Sequence, residues 1–115
     1  MKVLIVDDNS EMRQLIREYV PVSAADIFEG SDGDQALALY EEHRPDWVLM
    51  DQQMERTDGI TATREIIAGY PAAQICMVTA FNDEELRAEA YEAGVSGFVV
   101  KDNLYELGAI LKATN

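Results

Sequence analysis

Five polar residues in the sequence could carry chemistry, because each of them lies where a short apolar run ends: Asp7, Asp8, Asp51, Thr79 and Lys101. Carboxylates brought close together repel one another unless a cation lies among them, and oxygen ligands in an open site suit Mg²⁺. A lysine ammonium and a threonine hydroxyl beside such a site can hold the oxygens of a phosphoryl group on one carboxylate. The set therefore predicts Mg²⁺-dependent phosphoryl chemistry.

Asp51 is the predicted acceptor of the phosphoryl group. It follows residues 47–50, a short apolar run that is typical of a buried strand in a parallel sheet. A charge at the end of such a strand lowers stability unless another group pairs with it. Asp51 could instead cap the next helix or be solvated, but Asp58 lies nearer to that helix and is better placed to cap it.

The sequence predicts a scaffold of five strand-then-helix units for these residues. Strands are predicted at residues 2–6, 24–29, 47–50, 74–78 and 97–100. Helices are predicted from Asn9 or Ser10 to Pro21 and at about 34–42, 59–68, 82–93 and 104–112, with Gly94 at the C-terminal cap of the fourth. This alternation implies right-handed crossovers and a parallel sheet with helices on both faces.

The expected fold class is α/β, with a doubly wound five-stranded parallel sheet of flavodoxin-like order 2-1-3-4-5. Ligands of such sheets bind outside the carboxyl ends of the strands, at the switch point between strands 1 and 3. The predicted site residues all lie at this carboxyl edge, and the carboxylates flank the switch point. Neighbouring strands are ~4.8 Å apart, so side chains from strands 1 and 3 can reach a shared ion.

Length and composition predict a single domain over residues 1–115, with one core. The hydrophobic content of 48% and charged content of 27% are typical of a soluble globular protein. With no apolar run near the ~20 residues of a membrane span and no signal peptide, the protein is expected in the cytoplasm, with Cys76 buried and reduced. The net charge of −13 disfavours direct contact with nucleic acid or a membrane and suits a metal cation or a basic partner.

These motifs resemble the receiver domains of two-component response regulators, and the resemblance covers essentially the whole chain. It rests on Val6-Asp7-Asp8-Asn9, on Asp51 with Met54 and Asp58-Gly59, on Val78-Thr79-Ala80, and on Gly97-Phe98-Val99-Val100-Lys101. The resemblance implies a cytoplasmic phosphorelay protein whose Asp51 takes a phosphoryl group from a sensor histidine kinase or a phosphotransfer protein. It implies a self-phosphorylating and self-dephosphorylating switch and not a turnover enzyme, and a homodimer is compatible with it.

The resemblance also implies a metal site. Mg²⁺ would be held directly by Asp8 and Asp51, through water by Asp7, and by the backbone carbonyl of Gln53. The metal would offset the repulsion between the attacking carboxylate and the incoming phosphate.

Further roles implied by the resemblance concern the switch. Thr79 and Lys101 would contact the phosphoryl oxygens and bias a two-state element made of helix 4, strand 5 and helix 5. Phe98 stands where the family often has an aromatic ring that changes rotamer with Thr79, and it is equally compatible with an ordinary core aromatic.

Three features depart from the family pattern. Asp102 follows Lys101 where many members have proline, so no cis bond is expected, and Asp102 could draw on the charge of Lys101. Glu55 stands where the loop commonly has proline, which predicts a less restrained loop. Gln53 and Phe81 occupy variable positions, and the bulky Phe81 is expected to screen water from the phosphoaspartate.

Other functions fit the sequence less well. A flavodoxin-like cofactor binder needs a Ser/Thr- and Gly-rich phosphate loop after strand 1, where this chain has acidic residues. A phosphatase with a nucleophilic aspartate needs a second Asp at position 53, which is Gln53. Two alternatives stay open: a docking module that is not phosphorylated, and the isolated receiver piece of a DNA-binding transcription factor, in which DNA contact would come from another domain.

Overall fold

Alternating strand-forming and helix-forming segments give five strands and five α-helices in the computed structural model, which describes residues 1–112. The strands are β1 Val3–Val6, β2 Ile27–Gly30, β3 Trp47–Met50, β4 Ile75–Thr79 and β5 Gly97–Val100. The α-helices are α1 Ser10–Tyr19, α2 Ala36–His43, α3 Gly59–Gly69, α4 Glu84–Ala93 and α5 Leu107–Lys112. Short 3-10 turns precede β2 (Ala24–Asp26), α2 (Gly33–Gln35) and α5 (Lys101–Glu106).

The strands form one parallel sheet in the order β2-β1-β3-β4-β5, which confirms the predicted fold class. Val6 at the end of β1 pairs with Met50 at the end of β3, and Thr79 in β4 pairs with Val100 in β5. This register ends β1, β2 and β3 at one level, and β4 and β5 end two residues beyond it, so the residues that follow all five strands lie at one edge.

Both faces of the sheet are covered by helices, which explains why the central strands are apolar throughout rather than alternating. On one face, strand residues such as Leu4 and Met50 pack with residues of α2, α3 and α4. On the other face, strand residues such as Ile5 and Leu49 pack with Ile16 of α1 and with α5. Successive strand residues therefore alternate between two cores.

Several predicted boundaries differ from the structure. β2 begins at Ile27 and not at residue 24, because residues 24–26 form a 3-10 turn closed by a hydrogen bond from Asp26 N to Ser23 O (3.0 Å). β4 is shifted by one residue and includes Thr79. The α-helix predicted from about 104 begins at Leu107, because residues 101–106 form a 3-10 turn closed by a hydrogen bond from Leu107 N to Leu104 O.

The helix termini agree with the predicted caps. Asn9 Oδ1 accepts a hydrogen bond from Met12 N (2.9 Å), and the Asp58 side chain accepts one from Thr61 N (2.8 Å). Gly94 ends α4 with a φ of 118°, a conformation that glycine adopts without strain. Within residues 1–112, no helix is long and apolar enough to cross a membrane.

Candidate functional site

The candidate site lies at the carboxyl edge of the sheet, where β1 and β3 end side by side. Asp51 N donates to Val6 O (2.9 Å) and Asp7 N donates to Gly30 O (3.1 Å), so the backbone after each strand is still held by its neighbour. A cavity of about 690 Å³ opens there, lined by Asp7, Asp8, Asn9, Met12, residues 51–55, Asp58, Ala80, Phe81 and Lys101. The ends of β1 and β3 therefore lie side by side at one wall of this open cavity, which is called the cleft below.

Three carboxylates converge in this cleft, as predicted. Asp7, Asp8 and Asp51 each offer an oxygen, and these oxygens lie within 4.8 Å of one another. Asp7 and Asp51 are buried, with 1% and 6% of their surface exposed, whereas Asp8 is exposed. A hard cation such as Mg²⁺ fits this donor set, because all the ligands are oxygens and the site is open to water and phosphate.

The lysine after β5 supplies the positive charge of the site. Lys101 Nζ lies 2.9 Å from Asp7 Oδ2 and 3.1 Å from Asp51 Oδ1. Despite this ion pair, Asp7 Oδ2 is buried without a hydrogen bond of good geometry within the described residues.

Charge compensation in the cleft is incomplete, since one ammonium faces three carboxylates. Burial and the neighbouring Asp7 raise the pKa of Asp51 to about 6, although Lys101 acts to lower it. Burial acts to lower the pKa of Lys101, but the close pairing with Asp7 and the charge of Asp51 raise it above its usual value. Lys101 is therefore charged at neutral pH, and a further cation would stabilise ionised Asp51.

Gln53 lines the cavity, whereas Thr79 is buried and is not one of the described residues that line it. Thr79 ends β4 with 1% of its surface exposed, and its Oγ1 accepts a hydrogen bond from Phe81 N (3.2 Å). Gln53 lines the cavity two residues after Asp51. The contact of the Thr79 hydroxyl with a phosphoryl group and the ligation by the Gln53 carbonyl remain predictions.

The structure shows the surroundings of Lys101 and Phe98, two residues for which the resemblance to receiver domains raised questions. Lys101 pairs with Asp7 and Asp51, so its charge is directed into the site and not toward Asp102. Residues 1–112 contain no cis peptide bond. Phe98 is buried in the core beside α4, with the Arg87 guanidinium 4.5 Å from the centre of its ring.

Hydrogen bonds hold the loop after β3 on both of its sides. Gln52 closes its base, because its carbonyl accepts from Gly59 N (3.0 Å) and its side-chain oxygen accepts from Ile60 N (2.9 Å). Asp32 holds its far side through the backbone N–H groups of Arg56 and Thr57. The expectation that Glu55 leaves this loop less restrained than a proline would stays a prediction, because these hydrogen bonds hold the loop on either side of Glu55.

Two supporting residues of the site were missed in the sequence. Arg13 on α1 donates through Nη1 to the Asp7 carbonyl and through Nε to Glu29 Oε1 (2.6 Å). Arg17, one turn later, donates to the other oxygen of Glu29 (2.6 Å). The four-residue spacing of the arginines was visible, but their partner on β2 is a single isolated glutamate, which no local pattern identifies.

Comparison with known proteins gives consistent matches. A family model described as the response regulator receiver domain matches residues 3–112. The chain is 36% identical over 115 residues to the chemotaxis protein CheY of Bacillus subtilis (strain 168), covering 99% of this chain and 94% of that protein. It is 38% identical over 100 residues to the transcriptional regulatory protein ResD of the same strain, covering 87% of this chain but 41% of ResD.

A solved structure is also similar over the whole chain. It is a crystal structure of the CheX-CheY-BeF3-Mg+2 complex from Borrelia burgdorferi, with a TM-score of 0.85 and 26% sequence identity. The match covers 100% of this chain and 90% of that chain.

Proposed function

Because the chain belongs to the response regulator receiver domain family, whose members are phosphoacceptors in two-component signalling, we propose that Asp51 is its phosphoacceptor. The donor is a phosphohistidine of a sensor histidine kinase or of a phosphotransfer protein. We also propose that residues 1–115 form one receiver domain, of which residues 113–115 lie outside the described part. Since phosphohistidine is made with ATP, the proposed location is the cytoplasm.

The observation that carries this proposal is the position of the Asp51 carboxyl group. It lies buried at the end of β3, 3.1 Å from Lys101 Nζ and beside Asp7 and Asp8 in an open cavity. A buried nucleophile with a cation on one side and metal ligands on the other has the parts that phosphoryl transfer needs, because positioning and charge neutralisation supply most of the catalysis.

The acidic residues are the proposed Mg²⁺ ligands, and a solved relative is described as a complex with BeF3 and Mg+2. Asp8 and Asp51 would bind the ion directly, Asp7 through a water molecule, and Gln53 through its carbonyl. Bound Mg²⁺ would neutralise the charge that the carboxylates and the phosphoryl group bring together.

In the forward step, a carboxylate oxygen of Asp51 attacks phosphorus. A P–O bond forms as the P–N bond of the phosphohistidine breaks, and the electron pair of that bond returns to the imidazole of the donor. Asp51 must be ionised to attack, so metal-free protein is a nucleophile mainly above pH about 6. Lys101 stays between Asp7 and Asp51, where it can meet the transferred oxygens.

The reset and the switch follow from the same groups. Water attacks the phosphorus of the aspartyl phosphate, which releases inorganic phosphate and restores the Asp51 carboxylate. While the phosphate is present, its oxygens can accept a hydrogen bond from the Thr79 hydroxyl, whose Oγ1 accepts a hydrogen bond from Phe81 N. Movement of Thr79 toward the phosphate would be transmitted through Phe81 to the segment that leads into α4. The proposal is therefore a switch and not a turnover enzyme.

The test is intact mass after incubation with Mg²⁺ and a small phosphodonor. Wild type should gain one Mg²⁺-dependent phosphoryl group, and Asp51→Asn should gain none. Asp46→Asn is the matched control, because Asp46 directly precedes the other end of β3 and is exposed. A wild type that stays unmodified by both the small donor and a phosphorylated kinase would overturn the proposal and favour a docking module that is not phosphorylated.

The output of the switch has two candidates. The match covers 94% of CheY but 41% of the transcriptional regulator ResD. The first supports a regulator that acts by protein contact, and the second supports a receiver that is joined to a DNA-binding domain. In either case the net charge of −13 disfavours DNA contact by this domain itself.

Sedimentation with and without phosphodonor would test the proposed homodimer.

A further inference from the structure

Asp32, which follows β2 by two residues, forms an unusual set of hydrogen bonds with the loop after β3. Its Oδ1 accepts from Arg56 N (3.0 Å), and its Oδ2 accepts from Thr57 N (3.0 Å) and from Asp34 N (3.3 Å). Only 7% of its surface is exposed. A buried carboxylate that accepts several backbone N–H groups fixes the donors firmly, because each donor would otherwise be left unpaired.

Gly33 brings the two backbones into contact at the same point. A Cβ atom at this position would overlap the carbonyl oxygen of Thr57. The turn after β2 and the loop after β3 therefore pack backbone against backbone, and the contact needs both the Asp32 carboxylate and the absence of a side chain at Gly33.

The loop is consequently fixed at two places with a short span between them. Gln52 holds its base through Gly59 N and Ile60 N, and Asp32 holds Arg56 and Thr57. Residues 53–55 lie between these points and line the cavity of the site. Since each residue spans at most ~3.6 Å, the path of residues 53–55 is set largely by the two fixed ends.

We propose that Asp32 is a positioning residue for the metal site, which holds the loop so that the carbonyl of Gln53 faces the cation shared by Asp8 and Asp51. This inference rests on the proposed function, because it uses the same Mg²⁺ site. Asp32 itself touches neither the cation nor the phosphoryl group. It acts on the site through Arg56 and Thr57.

The ionisation of Asp32 agrees with this role. Burial acts to raise the pKa of its carboxyl group, but hydrogen bonds from the backbone N–H groups of Arg56, Thr57 and Asp34 lower the pKa below its usual value. Both oxygens therefore accept hydrogen bonds throughout the neutral pH range.

The test is a titration with MgCl₂ alone, at constant ionic strength, followed by amide NMR signals of residues 51–57 in the full chain. Asp32→Asn keeps the size of the side chain but replaces one accepting oxygen with a donor. Asp34→Asn is the matched control, because Asp34 carries the same charge two residues away, its side chain forms an exposed ion pair with the Arg56 guanidinium at 3.6 Å, and the substitution keeps the backbone N–H that Asp34 donates to Asp32. We expect a half-saturating Mg²⁺ concentration about 10-fold higher for Asp32→Asn, and within about twofold of wild type for Asp34→Asn.

Two further readouts separate positioning from loss of structure. Amide exchange should accelerate at Arg56 and Thr57 in Asp32→Asn while β1 and β3 remain protected. At saturating Mg²⁺, phosphorylation of this variant by a small donor should return to within about threefold of wild type. A general loss of structure would lower the saturated rate and the protection of the strands as well.

The outcomes distinguish this inference from the proposed function. Equal half-saturation in Asp32→Asn and Asp34→Asn would overturn the role of Asp32. Wild type that binds Mg²⁺ but gains no phosphoryl group would overturn the proposed function alone. If Asp32→Asn does not fold, Gly33→Ala tests the same contact from the other side, since it pushes against Thr57. It should weaken Mg²⁺ binding in the same way, and unchanged binding would count against the inference.

Discussion

At the scale of single residues, the carboxyl group of Asp51 is in an environment that opposes its charge. It is 6% exposed, and Asp7 and Asp8 add repulsion that one lysine offsets only in part. A carboxylate with so little compensating positive charge contributes little to stability. It is well suited to bind a cation and to attack an electrophile. The same buried negative charge therefore lowers the stability of the metal-free protein and favours binding of a cation and reaction with phosphorus.

The first prediction concerns Asp51→Asn in metal-free buffer. The folded pKa of about 6 lies above the ordinary 3.8, so the stability that Asp51 contributes is present below pH about 4 and is lost as pH rises through about 6. At pH 8 the variant should exceed wild type in free energy of unfolding by about 1 to 3 kcal/mol. The difference should narrow by about 1 kcal/mol at pH 5. Urea unfolding at both pH values measures this difference in free energy of unfolding. A difference that does not change with pH would contradict the raised pKa of Asp51.

The second prediction concerns Phe81, which is 44% exposed and lines the cavity. We expect a bulky ring at this position to limit the approach of water to the phosphoaspartate, so Phe81→Ala should speed dephosphorylation several-fold. Phosphoprotein decay followed by intact mass measures this rate. Tyr91→Ala is the control, because Tyr91 is similarly exposed on α4 and does not line the cavity. Unchanged or slower decay in Phe81→Ala would contradict the screening role.

At the scale of elements, the packing of the start of α3 against the end of β3 determines the position of the Asp51 backbone. Asp58 caps this helix, which leaves Asp51 for the site. Gly59 packs so closely on the end of β3 that a Cβ atom would overlap the Asp51 carbonyl oxygen. The helix, the loop and the acceptor residue are therefore coupled through backbone contacts, and small changes at Gly59 should be transmitted to the site.

The third prediction compares the two ends of α3. Gly59→Ala should lower the free energy of unfolding by about 1 to 3 kcal/mol, since the overlap with Asp51 forces the backbone apart, and it should slow phosphorylation. Gly69→Ala should leave stability unchanged or raise it by up to about 1 kcal/mol, because the structure has open space there and alanine favours helix. Urea unfolding and phosphorylation rates measure both. Equal effects at the two ends would contradict the role of Gly59.

At the scale of the whole molecule, two cores and a high negative charge determine stability. The sheet is packed on both faces, so its central strands are rigid supports for the residues at their ends. The net charge of −13 makes the compact state repel itself. Salt and specific cation binding should both relieve this repulsion, and the two effects can be separated.

The fourth prediction makes that separation by thermal unfolding. At equal ionic strength, MgCl₂ should stabilise wild type beyond NaCl, by about 2.7 kcal/mol when Mg²⁺ is 100 times its Kd. For a domain of this size the gain corresponds to a rise in Tm of roughly 10 °C. Asp8→Asn should lose most of the excess, because it lacks one carboxylate of the cluster. Identical Tm values in the two salts for wild type would argue against the metal site.

Much of the fold and of the site could be predicted because both follow from local patterns. Apolar runs such as residues 47–50 indicate buried strands, and strand–helix alternation restricts the topology to few orders. Once the order is given, the carboxyl ends of parallel strands must meet, so Asp7, Asp51 and Lys101 could be assigned to one edge. The place of Thr79 at a strand end also predicted its contact with the phosphoryl group, and the resemblance to receiver domains then implied the role of Gln53; both roles remain predictions.

The tertiary structure alone decided which distant groups support the site. Asp32 holds Thr57 and Gly33 packs on it, although about 25 residues of chain separate them, and Arg13 reaches both Asp7 and Glu29. No periodicity marks such contacts, because a side chain that bonds to a distant backbone group leaves no repeating signal. The start of α5 was predicted three residues too early for a related reason: residues 101–106 form a 3-10 turn, which has the same apolar residues as a helical turn and is not marked by the local pattern.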